Sequence, residues 1–205
     1  MKRIAPKLAA SALAALAVVV AAAPARAGDA MSASIRNCNW CHGTSAQGYA
    51  PAPRLAGQQA RYIETQLYGF ATHRRDNPFS QQYMWYAAAA LKRDTIRDLA
   101  DYYASLPPRP ANDGHRDLAG RGATIYNEGI PDANVAACLA CHGPQAQGIR
   151  DIPRLGGLSY TYLKQRLEQW NQGYHGAVPS PMPVVARSLS ADEVEALASY
   201  LSFVR

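Results

Sequence analysis

Apolar residues recur every third or fourth position in two stretches of the chain. Ile96, Leu99, Ala100 and Tyr103 fall at i, i+3, i+4 and i+7, and Val194, Leu197, Ala198 and Leu201 repeat the spacing. Each set lines one face of an α-helix. Ser190, followed three residues later by Glu193, predicts a capping box at the start of the second helix. The first opens on Lys92 and Arg93, which offer no acceptor to the free amides of a first turn. Amphipathic helices are also predicted over about Gln58 to Phe70 and about Ser159 to Trp170. Gly- and Pro-rich loops separate these segments, and the alternation of a half-buried strand is absent, so the predicted class is all-α.

The helices come in pairs because the chain contains an internal repeat. Cys38-Asn39-Trp40-Cys41-His42-Gly43 recurs 100 positions later as Cys138-Leu139-Ala140-Cys141-His142-Gly143. Ala46-Gln47-Gly48 matches Ala146-Gln147-Gly148, and Pro53-Arg54-Leu55-Ala56-Gly57 matches Pro153-Arg154-Leu155-Gly156-Gly157. Tyr62, Leu67 and Phe70 keep the offset to Tyr162, Leu167 and Trp170. After a two-residue difference in loop length the offset becomes 98, aligning Met84, Leu91, Leu99 and Tyr102 with Met182, Leu189, Leu197 and Tyr200. Between the copies, Pro107-Pro108-Arg109-Pro110-Ala111-Asn112-Asp113-Gly114 is rich in turn formers and places the boundary. The expected division is a first domain over 28–106, a linker over 107–115 and a second domain over 116–205. Units of that size have cores of marginal stability, which a large apolar cofactor would extend.

The first residues alter the reading of charge. Lys2, Arg3 and Lys7 precede an apolar run from about Leu8 to Ala23, and Pro24 then leads into Ala25-Arg26-Ala27. Residues 1–27 therefore read as a secretory signal peptide, with the mature chain beginning at Gly28. The alternative is an uncleaved membrane tether, since the run approaches the roughly 20 residues that span a bilayer. Either way the remainder is exported, and the periplasm is the expected location. Loss of four cations with no anion takes the formal charge from +6 to +2. The excess belongs largely to the leader, which excludes a nucleic-acid binder built on a basic working surface.

Cysteine spacing carries the chemistry. In Cys-x-x-Cys-His, two thiols reach one edge of a porphyrin, and the histidine directly after them takes an axial position on its iron. Cys38, Cys41, Cys138 and Cys141 are thus the candidate attachment points of two covalent haem c groups, with His42 and His142 as iron ligands. Structural zinc would need the two pairs close in one site, yet they sit in separate repeats. A disulfide or thioredoxin-like role would want a βαβ setting and would leave both histidines unexplained. Met84 and Met182 are the only methionines after the motif in their copies and occupy equivalent positions, which makes them the candidate sixth ligands. Met182 lies in the stiff Pro181-Met182-Pro183, whereas Met84 has no flanking proline, and Met31 reads as packing. His73, His115 and His175 are expected to be solvated. Arg74 and Arg75, with Arg116 and Arg121, are candidate docking charges, the plainer alternative being ordinary solvated charge.

On these motifs, the Pro-x-Leu-x-Gly segments and the terminal helices, the chain resembles the cytochrome c4 family over essentially its whole mature length. The resemblance implies two class I cytochrome c domains in tandem, each around one haem. It also implies that the Pro53 and Pro153 carbonyls accept a hydrogen bond from Nδ1 of His42 and His142, and that the haem edges approach at the domain junction. Only ten residues, Gly28 to Asn37, precede Cys38 in the mature chain, so the first opening helix is expected to be short. The implied function is single-electron transfer through two His/Met-ligated haems, not enzyme catalysis. The expected partners are redox proteins such as a terminal oxidase, a quinol–cytochrome c reductase or a dehydrogenase, with peripheral membrane association as an option. The alternatives are the electron-transfer subunit of a periplasmic dehydrogenase, or a haem enzyme with one open iron site.

Overall fold

The computed structural model describes residues 27–174 and 180–205. Residues 1–26 of the expected leader, and His175, lie outside the described residues. In chain order the first half contains α1 (Ala27–His42), α2 (Ala60–Ala71), a π-helical turn (Ser80–Met84), α3 (Trp85–Ala88) and α4 (Arg93–Ser105). The second contains α5 (Arg116–Glu128), a short 3₁₀ turn (Pro131–Ala133), α6 (Leu139–His142), α7 (Tyr160–Asn171), α8 (Met182–Ala186) and α9 (Ala191–Phe203). Among the described residues extended pairing is limited to isolated bridges such as Tyr49 with Ala52 and Ile149 with Ile152. None of the described helices is long and apolar enough to cross a membrane.

The predicted helix faces form two separate cores. Ile96, Leu99, Ala100 and Tyr103 of α4 are buried, and Leu99 and Tyr103 pack with Ile63 of α2. Val194, Leu197, Ala198 and Leu201 of α9 pack with Ile125 and Tyr126 of α5 and Leu163 and Leu167 of α7. Full burial of Leu99 or Leu197 contributes about 2 kcal/mol each by area removed from water. The Ser190 side chain accepts from the Glu193 amide while Glu193 reaches back to the Ser190 amide, so the capping box is closed. Lys92, its counterpart before α4, makes no side-chain cap.

The opening of the two halves differs from the expectation. The first opening helix is not short: α1 runs unbroken for 16 residues into the Cys-x-x-Cys-His motif. No glycine or proline falls between Gly28 and Gly43, and Met31, Ile35 and Cys38 form a stripe at i, i+4 and i+7 that packs on the first core. In the second half, Gly129 and Pro131 stop α5 after 13 residues, and the motif starts a fresh turn. There α5 crosses α9 closely enough that a β-carbon on Gly122 would lie 2.0 Å from the Ala196 carbonyl oxygen. Glycine at that crossing is obligatory.

The halves are bound to one another through main-chain acceptors. The Arg54 guanidinium donates from Nη1 to the carbonyls of Arg109 at 2.7 Å and Gly157 at 2.8 Å, from Nη2 to Gly156 at 2.6 Å and from Nε to Ala56 at 3.1 Å. Gln58 pairs with the main chain of Arg154 like a strand residue, accepting from its amide at 2.7 Å and donating to its carbonyl at 2.9 Å.

Candidate haem-attachment sites

Both motifs end a helical stretch, so Cys41 and Cys141 are exposed, Cys38 and Cys138 are half-buried, and the histidines turn inward. His42 and His142 retain only 7% and 5% of their surface. Nδ1 of His42 lies 2.7 Å from the Pro53 carbonyl and Nδ1 of His142 lies 2.9 Å from the Pro153 carbonyl. A carbonyl can only accept, so each Nδ1 carries the proton and each Nε2 keeps its lone pair. Burial depresses both imidazoles below the usual histidine value, which maintains the neutral, ligating form. The turn that brings the prolyl carbonyl under the ring needs glycine. Gly48 and Gly148 have φ of +74° and +70°, and a β-carbon on either would come within 2.5 Å of the proline carbonyl carbon. Their amides also donate to the His42 and His142 carbonyls, at 2.9 and 2.8 Å.

Neither cysteine pair is joined as a disulfide. Burial raises the Cys38 thiol above its ordinary value and pushes Cys138 up to about 11. Among the described residues no group of three or more His, Cys, Asp or Glu side chains is placed to hold a metal ion by itself. Two thiols at fixed spacing and one imidazole with a free Nε2 instead suit a porphyrin that brings its own equatorial nitrogens.

The methionines occupy the corresponding segment of each half, between the second and terminal helices. Met84 closes the π-helical turn, a local widening common at functional sites. Met182 opens α8 directly after Pro181 and packs against the second core. His73 stacks on Trp85 with ring centroids 4.0 Å apart, and Trp85 Nε1 donates to the Arg75 carbonyl at 2.8 Å. His115 precedes α5 and meets Tyr160 edge-on. Both remain exposed, as expected, but each rests on an aromatic ring.

One expectation is overturned. Arg75 is not a surface docking charge: it is buried at the junction of the halves, with 7% of its surface left. Its Nη1 donates to Gln66 Oε1 at 2.7 Å and its Nη2 to the Tyr162 hydroxyl of the other half at 3.3 Å, while its buried Nε has no partner. Sequence reasoning also passed over Arg166, which is equally buried and donates to Gln169 Oε1 at 2.6 Å. Burial and the nearby Arg75 cation bring the Arg166 guanidinium down to about 10. An unpartnered buried donor beside a second buried cation fits a group that carries carboxylates, as haem does.

Comparison with known proteins places this arrangement. A family model for cytochrome c matches twice in tandem, over residues 25–107 and 119–204, so the chain belongs to the class of proteins built from cytochrome c domains. Cytochrome c4 of Thiocapsa roseopersicina is 34% identical over 181 residues, covering 86% of this chain and 90% of the relative. A cytochrome c4 structure from Acidithiobacillus ferrooxidans superposes with a TM-score of 0.76 at 34% identity, covering 82% of this chain and 98% of the other. Within the class, the chain belongs to the cytochrome c4 family. A protein named thiosulfate dehydrogenase electron acceptor, from Stutzerimonas stutzeri, is 39% identical over 176 residues, covering 82% of this chain and 78% of the relative. With one Cys-x-x-Cys-His motif in each cytochrome c domain, this is a chain of two covalently bound haem c groups.

Proposed function

We infer that the chain is an exported di-haem electron carrier, and not an enzyme, passing single electrons between periplasmic redox proteins. The observation that carries this reading is the matched pair of buried histidines, each locked at Nδ1 by a prolyl carbonyl directly after a Cys-x-x-Cys pair. In this reading Cys38 and Cys41 hold one haem and Cys138 and Cys141 the other. His42 with Met84 would hold the iron of the first, and His142 with Met182 that of the second. Bound in this way, haem would supply a one-electron iron couple, and ligation by a thioether and an imidazole would raise its potential and leave no position for oxygen or peroxide. The protein's part is to fix the imidazole, exclude water and keep both oxidation states in one geometry. Donors and acceptors of the expected kind are a terminal oxidase, a quinol–cytochrome c reductase or a dehydrogenase. The leader pattern supports a periplasmic location.

A second reading is favoured by the similarity to the thiosulfate dehydrogenase electron acceptor: the chain serves as the electron-accepting subunit of a periplasmic dehydrogenase. Co-purification with a catalytic subunit at fixed stoichiometry would select it over a free shuttle.

The test is a pyridine haemochrome count with optical spectra of the oxidised and reduced protein, repeated on Met84→Ala and Met182→Ala. Two haems per chain are expected, and each variant should lose half of the methionine-to-iron charge-transfer band and gain one carbon monoxide site. An undiminished band in either variant would remove that methionine, and a single high-spin haem in the unmodified protein would restore the enzyme alternative.

A further inference from the structure

The buried arginines at the junction break the internal repeat in a compensated way. The offset of 100 holds through the end of the second helix in each half: His73 and Gly173 both have positive φ and donate to the carbonyls of Phe70 and Trp170. In that register Gln66 corresponds to Arg166, and Arg75 corresponds to His175. The first half therefore draws its guanidinium from the loop after the second helix, and the second half draws it from within that helix. Despite this, the two groups reach equivalent places. The Arg75 guanidinium carbon lies 4.7 Å from the Phe70 ring centroid, and that of Arg166 lies 4.8 Å from the centroid of Trp170, the Phe70 counterpart. Two sequence routes to one guanidinium position point to a requirement for the cation itself.

What the cation serves is not supplied in full by the protein. The hydrogen bonds of both groups go to amides and phenols, Gln66, Tyr62 and Tyr162 for Arg75 and Gln169 for Arg166, and none goes to a carboxylate among the described residues. Tyr62 and Tyr162 lie close enough to feel both cations, and Asp76 exerts the smallest of the charge effects on Arg166. Two mutually repelling cations buried at one interface, with the Arg75 Nε still unpartnered, call for further anionic charge there. Haem carries two carboxylates on the edge opposite its vinyl groups. The Arg75 carbonyl accepts from Nε1 of Trp85 at 2.8 Å, and Trp85 directly follows Met84, which ties the Arg75 segment to the candidate first iron site.

Resting on the di-haem reading above, we propose that Arg75 and Arg166 are positioning residues that hold the propionates of the first and second haem at the junction. As fixed cations beside each iron they raise both reduction potentials. A positive charge favours the state with the extra electron, so its removal lowers the potential.

The experiment is a spectroelectrochemical titration of the full holoprotein and of Arg75→Gln, Arg75→Lys and Arg166→Gln, with haem count and methionine band recorded for each. Arg75→Gln should lower one potential by about tenfold in the one-electron equilibrium, or about 59 mV, and Arg166→Gln should lower the other. Arg75→Lys should restore most of the shift. The decisive variant combines Gln66→Arg with Arg75→His, giving the first half the arrangement of the second; its potentials should return close to those of the unmodified protein. If Arg75→Gln and Arg166→Gln keep two haems and unchanged potentials, the proposal is wrong while the di-haem reading stands. Should Arg75→Gln fail to assemble, a relocated arginine that restores folding but leaves a lowered potential would overturn it equally. An unmodified protein without covalent haem would defeat both.

Discussion

The two halves share the haem-attachment motif, its prolyl carbonyl and two helices, yet they are not equally well built. In the second, α5 and α9 cross at Gly122, and the core gathers buried residues from α5, α7, α8 and α9. In the first, α1 continues straight into the motif, and the clustered core reduces to Ala46, Ala56, Ile63, Leu99, Ala100 and Tyr103, with Phe70, Ala88 and Ile96 buried outside it. A stopped helix can pivot to lie across its neighbour, while one tied to the haem-attachment turn must follow that turn's direction. The same site can thus be carried by cores of different depth, and the first half leans more heavily on its cofactor.

The largest effect expected from this difference is at the crossing. Gly122→Val should cost about 3 kcal/mol through overpacking. Hydrogen exchange should then show lost protection in α5 and α9 while α2 and α4 keep theirs; a cost below about 1 kcal/mol would mean that the crossing is looser than described. Next come the equivalent leucines. Leu197→Ala should cost about 4 kcal/mol and Leu99→Ala about 2 kcal/mol, because the thinner first core has fewer partners to lose. Equal costs by denaturant titration would break the comparison. The smallest effect concerns the caps. Ser190→Ala should cost about 1 kcal/mol, and Lys92→Ser should gain a few tenths to about 1 kcal/mol by supplying the missing acceptor before α4. Thermal unfolding resolves both, since about 1 kcal/mol moves the midpoint of a domain of this size by several degrees.

Much of this architecture is legible in the sequence, since it rests on local rules. Periodicity located α4 and α9, the capping box marked the start of α9, and the repeat paired the motifs and methionines. Counting from the expected cleavage point to the motif makes the opening helix short, although Met31, Ile35 and Cys38 already continue one helical stripe through it. Arg75 was read as a surface charge because it stands in a loop beside Arg74, and its burial comes from Tyr162, 87 residues away. The signal was nevertheless present in the repeat, where Gln66 against Arg166 and Arg75 against His175 exchange a cation between two positions. Arg54 escaped notice for a similar reason: its acceptors are carbonyls of the linker and the other half, and no side-chain pattern records them.

The Arg54 guanidinium has a consequence for how the molecule moves. Because it donates at once to Arg109 in the linker and to Gly156 and Gly157 beyond it, the halves have no free hinge between them. The expected behaviour in solution is that of one particle, with a single rotational correlation time and a single alignment tensor. A partner docking on either half would then meet both haem sites at one fixed separation, and an electron's internal hop would not wait on diffusion of one half toward the other.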